Sequence, residues 1–130
     1  MNFKVDTKEK FTTIMLNEQN MYANVAESLS TVCIPYLSKP VKNIILQLSN
    51  VEEIDEQAAC RLAELQQSFY AANASFVICC LKKEVENTLD KFELLEVMNV
   101  TPTESEAWDI VQMEEIEREL LDSDDVAFDV

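Results

Sequence analysis

Two short, nearly unbroken apolar runs, Ile44 to Leu48 and Phe76 to Leu81, bracket a segment in which Ala58, Leu62, Leu65, Phe69 and Ala72 recur at helical spacing. Strands that lack polar alternation are strands covered on both faces, and covered neighbours joined by a helix pair in parallel through a right-handed crossover. Asn43 to Ala72 therefore reads as a buried strand, a short polar turn and an amphipathic helix, with Asn73-Ala74-Ser75 breaking that helix before the second strand. A chain built around such a unit is an α/β protein with helices packed on a sheet.

The flanking segments extend the pattern. Phe3 to Lys8 and Phe11 to Leu16 are strand-forming and meet at Glu9-Lys10, as in a hairpin. Val25, Leu29, Val32 and Tyr36 mark a first helix, with Asn24 and Glu27 spaced as a capping box and Ser38-Lys39-Pro40 as its stop. Val85, Leu89, Phe92 and Leu95 mark another, Val97 to Val100 a short edge strand, and Thr103 with Glu106 a second capping box. The helix begun there should bury Trp108, Val111, Ile116 and Leu120. The expectation is one sandwich domain over residues 1–121, a mixed sheet of four to five strands with about four helices, followed by an acidic, unstructured tail at 122–130.

Glycine is absent from all 130 residues. Backbone positions with positive φ should then fall to asparagine, the next cheapest residue there, and Asn17, Asn43, Asn50, Asn73 and Asn99 all lie near element boundaries. Neither of the glycine-dependent phosphate loops can form, which excludes those nucleotide-binding enzymes. The formal charge of −15 opposes binding to nucleic acid or anionic lipid, and half of it sits between Glu114 and Asp129, where eight carboxylates face one base, Arg118. Lys82-Lys83 is the one small basic spot and reads as a solvated strand end. Cys33, Cys60, Cys79 and Cys80 lie in apolar periodic stretches without CxxC spacing and read as buried, reduced thiols. No run is long and apolar enough to span a bilayer, and MNFKVDTKEK lacks the apolar core of a secretory signal, so a cytoplasmic protein is expected.

Chemistry, if any, concentrates where the first buried strand hands over to its helix, at Ile54-Asp55-Glu56-Gln57-Ala58. Asp55 is placed to cap the helix, and Glu56 puts a carboxylate at the positive end of its dipole. The same two residues suit a surface that recognises a partner, and the residues alone leave both readings open. As a catalytic pair they fail: adjacent helix-start side chains diverge, and the chain holds no histidine to complete a proton relay. No enzyme activity, metal or cofactor is expected. Ser49 before the turn reads as a local hydrogen-bonder, Trp108 as an anchor in the core or an interface, and Met98 to Val100 as packing.

Ile44 to Ala58, IILQLSNVEEIDEQA, resembles the VVLDLSGVxFIDSSG signature of STAS domains, the family of anti-sigma factor antagonists. The order of hairpin, helices and strands over residues 3–120 agrees with that family as well. The resemblance implies an interaction module of a bacterial regulatory circuit whose partner is an anti-sigma factor or kinase-like regulator, bound through Ser49, Asn50, Asp55, Glu56, Gln57 and Ala58. In phosphorylatable members the serine after the helix-start aspartate is modified by that partner. Here Glu56 occupies the position, Gln57 replaces the second serine, Ala58 the glycine, Gln47 the strand aspartate and Asn50 the turn glycine, while Ser49 and Asp55 are retained. Glu56 has no hydroxyl to accept a phosphoryl group; its single charge copies the sign of a phosphate and about half its strength. The family also implies an alternative role, as an accessory subunit holding the ATPase of a membrane transporter.

Overall fold

The computed structural model describes residues 3–127, with side chains described to Leu121. A hairpin opens the chain: β1 (Phe3–Thr7) pairs antiparallel with β2 (Thr12–Leu16), Phe3 opposite Leu16 and Thr7 opposite Thr12. After the two-residue strand β3 (Asn20–Met21) come α1 (Ala23–Cys33) and a 3-10 turn, Ile34–Ser38, that stops at Lys39 as the Ser-Lys-Pro signal requires. β4 (Ile44–Gln47), β5 (Glu53–Ile54), α2 (Glu56–Ala71) and β6 (Phe76–Cys79) form the central unit. The chain then continues through α3 (Lys83–Lys91), a 3-10 turn at Leu95–Val97, β7 (Val100–Thr101) and α4 (Glu104–Ala127).

Five strands make one mixed sheet in the order β1-β2-β4-β6-β7, parallel except at β1. The remaining two, β3 and β5, pair with each other as a separate parallel ribbon. Alternation along each central strand divides the core in two. Ile14, Leu16, Ile44, Leu46, Phe76 and Ile78 face α1, α2 and α3, where Leu29, Leu62, Phe69, Val85 and Leu89 complete the larger cluster. Ile45, Val77 and Cys79 face the other way, onto Ala107 and Val111 of α4, with Phe11 and Trp108 stacked beside them at 4.7 Å. Three helices therefore cover one face and α4 alone covers the other. Since α2 and α4 both begin at the C-terminal edge of the parallel strands, each runs back toward the N-terminal edge.

Several expectations are corrected. α1 starts at Ala23 behind Tyr22 and has no side-chain cap, so Asn24 and Glu27 form no capping box; Glu27 is instead 3.4 Å from Arg61 of α2. At α4 the Glu106 N–H donates to Thr103 Oγ1 (3.2 Å), the first half of the proposed box. β7 starts at Val100, because Val97 belongs to the preceding turn. Ile116 and Leu120 are not buried but 55% exposed, since they lie on the side of α4 opposite Val111, while Glu115 and Arg118 face Asn43 and Ser75. α4 continues to Ala127, beyond Leu121, where regular structure was expected to end; residues 128–130 lie outside those described.

Positive φ occurs at Asn73, Cys80 and Glu93 among the described residues, so asparagine substitutes for glycine at one of the five positions expected. Asn73 closes α2: its own N–H reaches Tyr70 O (3.0 Å) and that of Ala74 reaches Phe69 O (2.8 Å), the paired bonds of a Schellman end. Glu93 closes α3 in the same way, through Leu94 to Leu89 O at 2.9 Å. Here the paired bonds hold a glutamate in a region that glycine enters more cheaply.

Candidate functional site

The start of α2 is fixed from both sides. Asp55 is extended, and its Oδ1 accepts the Ala58 N–H at 2.8 Å, so it is the N-cap of the helix. The polar turn before it is not loose. Val51 is buried and its N–H bonds Leu48 O (3.1 Å); the N–H groups of Glu52 and Glu53 both reach Gln19 O, and that of Asp55 reaches Met21 O at 3.3 Å. The bonds to Gln19 and Met21 belong to the β3–β5 ribbon, which sequence pattern cannot reveal because two-residue strands carry no periodicity.

The sequence-derived residues divide by position. Glu56 and Gln57 are exposed on the first turn of α2, and Asn50 is exposed in the turn, its amide donating to Asn17 Oδ1 at 2.7 Å. Ser49 is half-buried and donates to Gln47 Oε1 at 2.9 Å, the local bond expected of it. Ala58 does not belong to the surface: its side chain is fully buried against the larger core, and only its N–H takes part, as the donor to Asp55. Helical spacing explains the split, because Ala58 lies on the stripe shared with Leu62 and Leu65.

The surface gains residues that no motif marked. Tyr22 donates to Glu53 Oε2 at 2.6 Å, which raises the phenol's pKa above its ordinary value because ionisation would break that bond. Lys82 does more than solvate a strand end, as its ammonium lies 3.6 Å from Glu52 Oε1. A shallow depression between α1 and α2 is lined by Ala23, Glu27, Glu56, Gln57, Cys60 and Arg61. Arg61 is held by Glu27 and Glu64, leaving the depression rimmed by carboxylates. The common signal for these contacts is tertiary, with partners about thirty positions apart in the chain.

Such an arrangement presents an anionic, water-exposed face on a helix start held by main-chain bonds. Among the described residues no group of three or more cysteine or acidic side chains could hold a metal ion, and no helix is long and apolar enough to cross a membrane. Cys60 is exposed, whereas burial pushes the Cys33 thiol up to about 12 and raises that of Cys79 too.

Comparison with known proteins places the fold. The model of the STAS domain matches residues 2–107. No curated protein matches the chain in sequence. Among solved structures, TM1081 of Thermotoga maritima is 22% identical with a TM-score of 0.71, over 85% of this chain and 94% of that one. The anti-sigma factor antagonist SpoIIAA in its unphosphorylated form is 16% identical with a TM-score of 0.67, over 85% and 96%. A sulfate transporter family protein from Wolinella succinogenes is 17% identical with a TM-score of 0.70, over 84% and 90%.

Proposed function

The chain belongs to the STAS domain family, and on that premise we propose that it is a non-catalytic interaction module that docks a regulatory protein, of the anti-sigma factor or kinase-like kind, at the start of α2. The observation that carries the reading is the exposed Glu56 carboxylate beside the Asp55 cap, on a helix end held by the main-chain bonds of the preceding turn. STAS domains are in general interaction modules without catalysis. Ser49, Asn50, Asp55, Glu56 and Gln57 form the docking face, with Ala58 behind it as support.

Glu56 stands at the position that is serine in phosphorylatable members, and it keeps that face permanently anionic. Glu52, Glu53 and Glu27 carry the same sign around it, so the partner's face is basic and its association rate falls with added salt. A kinase partner has nothing to modify at this position, and the module acts constitutively.

Affinity capture from an extract of the source cells, followed by mass spectrometry, tests the reading. Wild-type protein should retain one regulator that Glu56→Lys loses, and incubation with a captured kinase should label Glu56→Ser but not the wild type. Phosphate on wild-type Ser49, or equal capture by both proteins, defeats it. A second reading rests on the likeness to the Wolinella transporter-family protein: an accessory subunit contacting the ATPase of a membrane transporter. Capture of an ATPase subunit in place of a cytosolic regulator would select that reading.

A further inference from the structure

α4 is apolar on two faces. Ala107 and Val111 point into the sheet, while Met113, Ile116, Leu120 and Leu121 are 58%, 55%, 55% and 64% exposed. Leu120 lies about two and a half turns beyond Val111, which at 3.6 residues per turn puts it on the opposite side of the helix. Met113 and Ile116 share that outer side, at the three- and four-residue spacings of an amphipathic stripe. Scattered surface apolar groups need no explanation, but a run aligned on one helix face is the pattern of a helix that pairs with another.

Charge selects the occupant. Exposed Asp109, Glu117 and Glu119 flank the stripe, and the base on this stretch, Arg118, is turned inward, its guanidinium 3.2 Å from Ser75 Oγ and 3.4 Å from Asn43 Oδ1. A second copy of the chain packed antiparallel would set Glu117 and Glu119 against the other copy's Asp109 and Glu106, carboxylate against carboxylate. A helix with lysine or arginine beside its own apolar stripe meets no such opposition. We propose that the outer face of α4 is a second docking surface, occupied by a basic amphipathic helix of a partner protein. It lies on the opposite face of the sheet from Glu56 and at the opposite edge, so both sites can be filled at once.

The probe is a synthetic amphipathic peptide of leucine and lysine in heptad order, with a scrambled peptide of the same composition as control. Titration into isotopically labelled full-length protein should shift amide signals of α4 between Ile110 and Leu121, and the scrambled peptide should leave them in place. Because the stripe is exposed, Met113→Ser/Ile116→Ser/Leu120→Ser should keep the wild-type fold by circular dichroism yet weaken binding about tenfold or more. Glu117→Lys/Glu119→Lys, which retains the stripe, should also weaken it and flatten its salt dependence between about 50 and 500 mM. Equal binding of the scrambled peptide, or unchanged affinity in the triple variant, overturns the proposal. So does a wild-type dimer in sedimentation that the triple variant dissociates, since a second copy would then be the occupant.

Discussion

The start of α2 and the far half of α4 both present surface to solvent, and they are held by opposite means. At α2 the controlling bonds are local or involve the main chain: Asp55 caps Ala58 three residues on, and the turn hangs from Gln19 O. At α4 they are remote side-chain bonds. Asn43, nearly buried at the strand edge, donates to Lys10 O (3.0 Å) and Glu115 Oε1 (2.7 Å), and its Oδ1 accepts the Ser75 N–H (2.8 Å) and the Arg118 guanidinium. Alongside, Glu114 accepts from Tyr70 and from Asn99 Nδ2. A surface fixed by its own backbone keeps its shape when one side chain is lost; one tethered through a few buried amides does not.

The largest effect should come from the tether. Asn43→Ala removes bonds on both sides of the amide and strands the buried Ser75 N–H, which should cost about 3 kcal/mol in denaturant unfolding. A cost near zero would mean that α4 is held by Ala107 and Val111 alone. Asp55→Ala should cost about 1 kcal/mol, the usual worth of an N-cap, and should leave the rest of the turn in place by amide exchange. Glu56→Gln removes only a favourable charge at the helix dipole and should cost about 0.5 kcal/mol or less, an effect that salt erases. If it cost as much as Asp55→Ala, Glu56 would have a structural partner, and its availability to a regulator would be in doubt.

The smallest expected effect separates the faces by pH. Tyr22 is held neutral by its bond to Glu53, so its folded pKa lies above the ordinary value of 10.0. Its contribution to stability is therefore complete below pH 10 and is lost as the pH rises through the folded pKa. Tyr22→Phe should flatten that alkaline decline, measured by denaturant titration across it, without touching the region of α4.

Periodicity made most of the architecture legible: both covered strands, the α2 stripe, the N-cap at Asp55 and the stops at Lys39 and Asn73 follow from side-chain pattern and backbone preference. The same reasoning failed at Ile116 and Leu120. Both lie on the side of α4 opposite Val111, and where a helix carries two apolar sides only the packing decides which one meets the sheet. Asparagine was a reasonable heir to glycine's positions, yet Cys80 and Glu93 took two of them, because the surrounding bonds outweigh the residue's own preference.

What the chain determined by itself was therefore part of the local structure: where the covered strands hand over to helices, the stripe that α2 buries, and the anion at its first turn. Only tertiary structure decided that α4 alone covers one face, that a two-residue ribbon holds the turn before Asp55, and that Met113, Ile116 and Leu120 are left in water. Those outcomes depend on contacts between residues far apart in sequence, and a contact of that kind leaves no periodic trace in either partner.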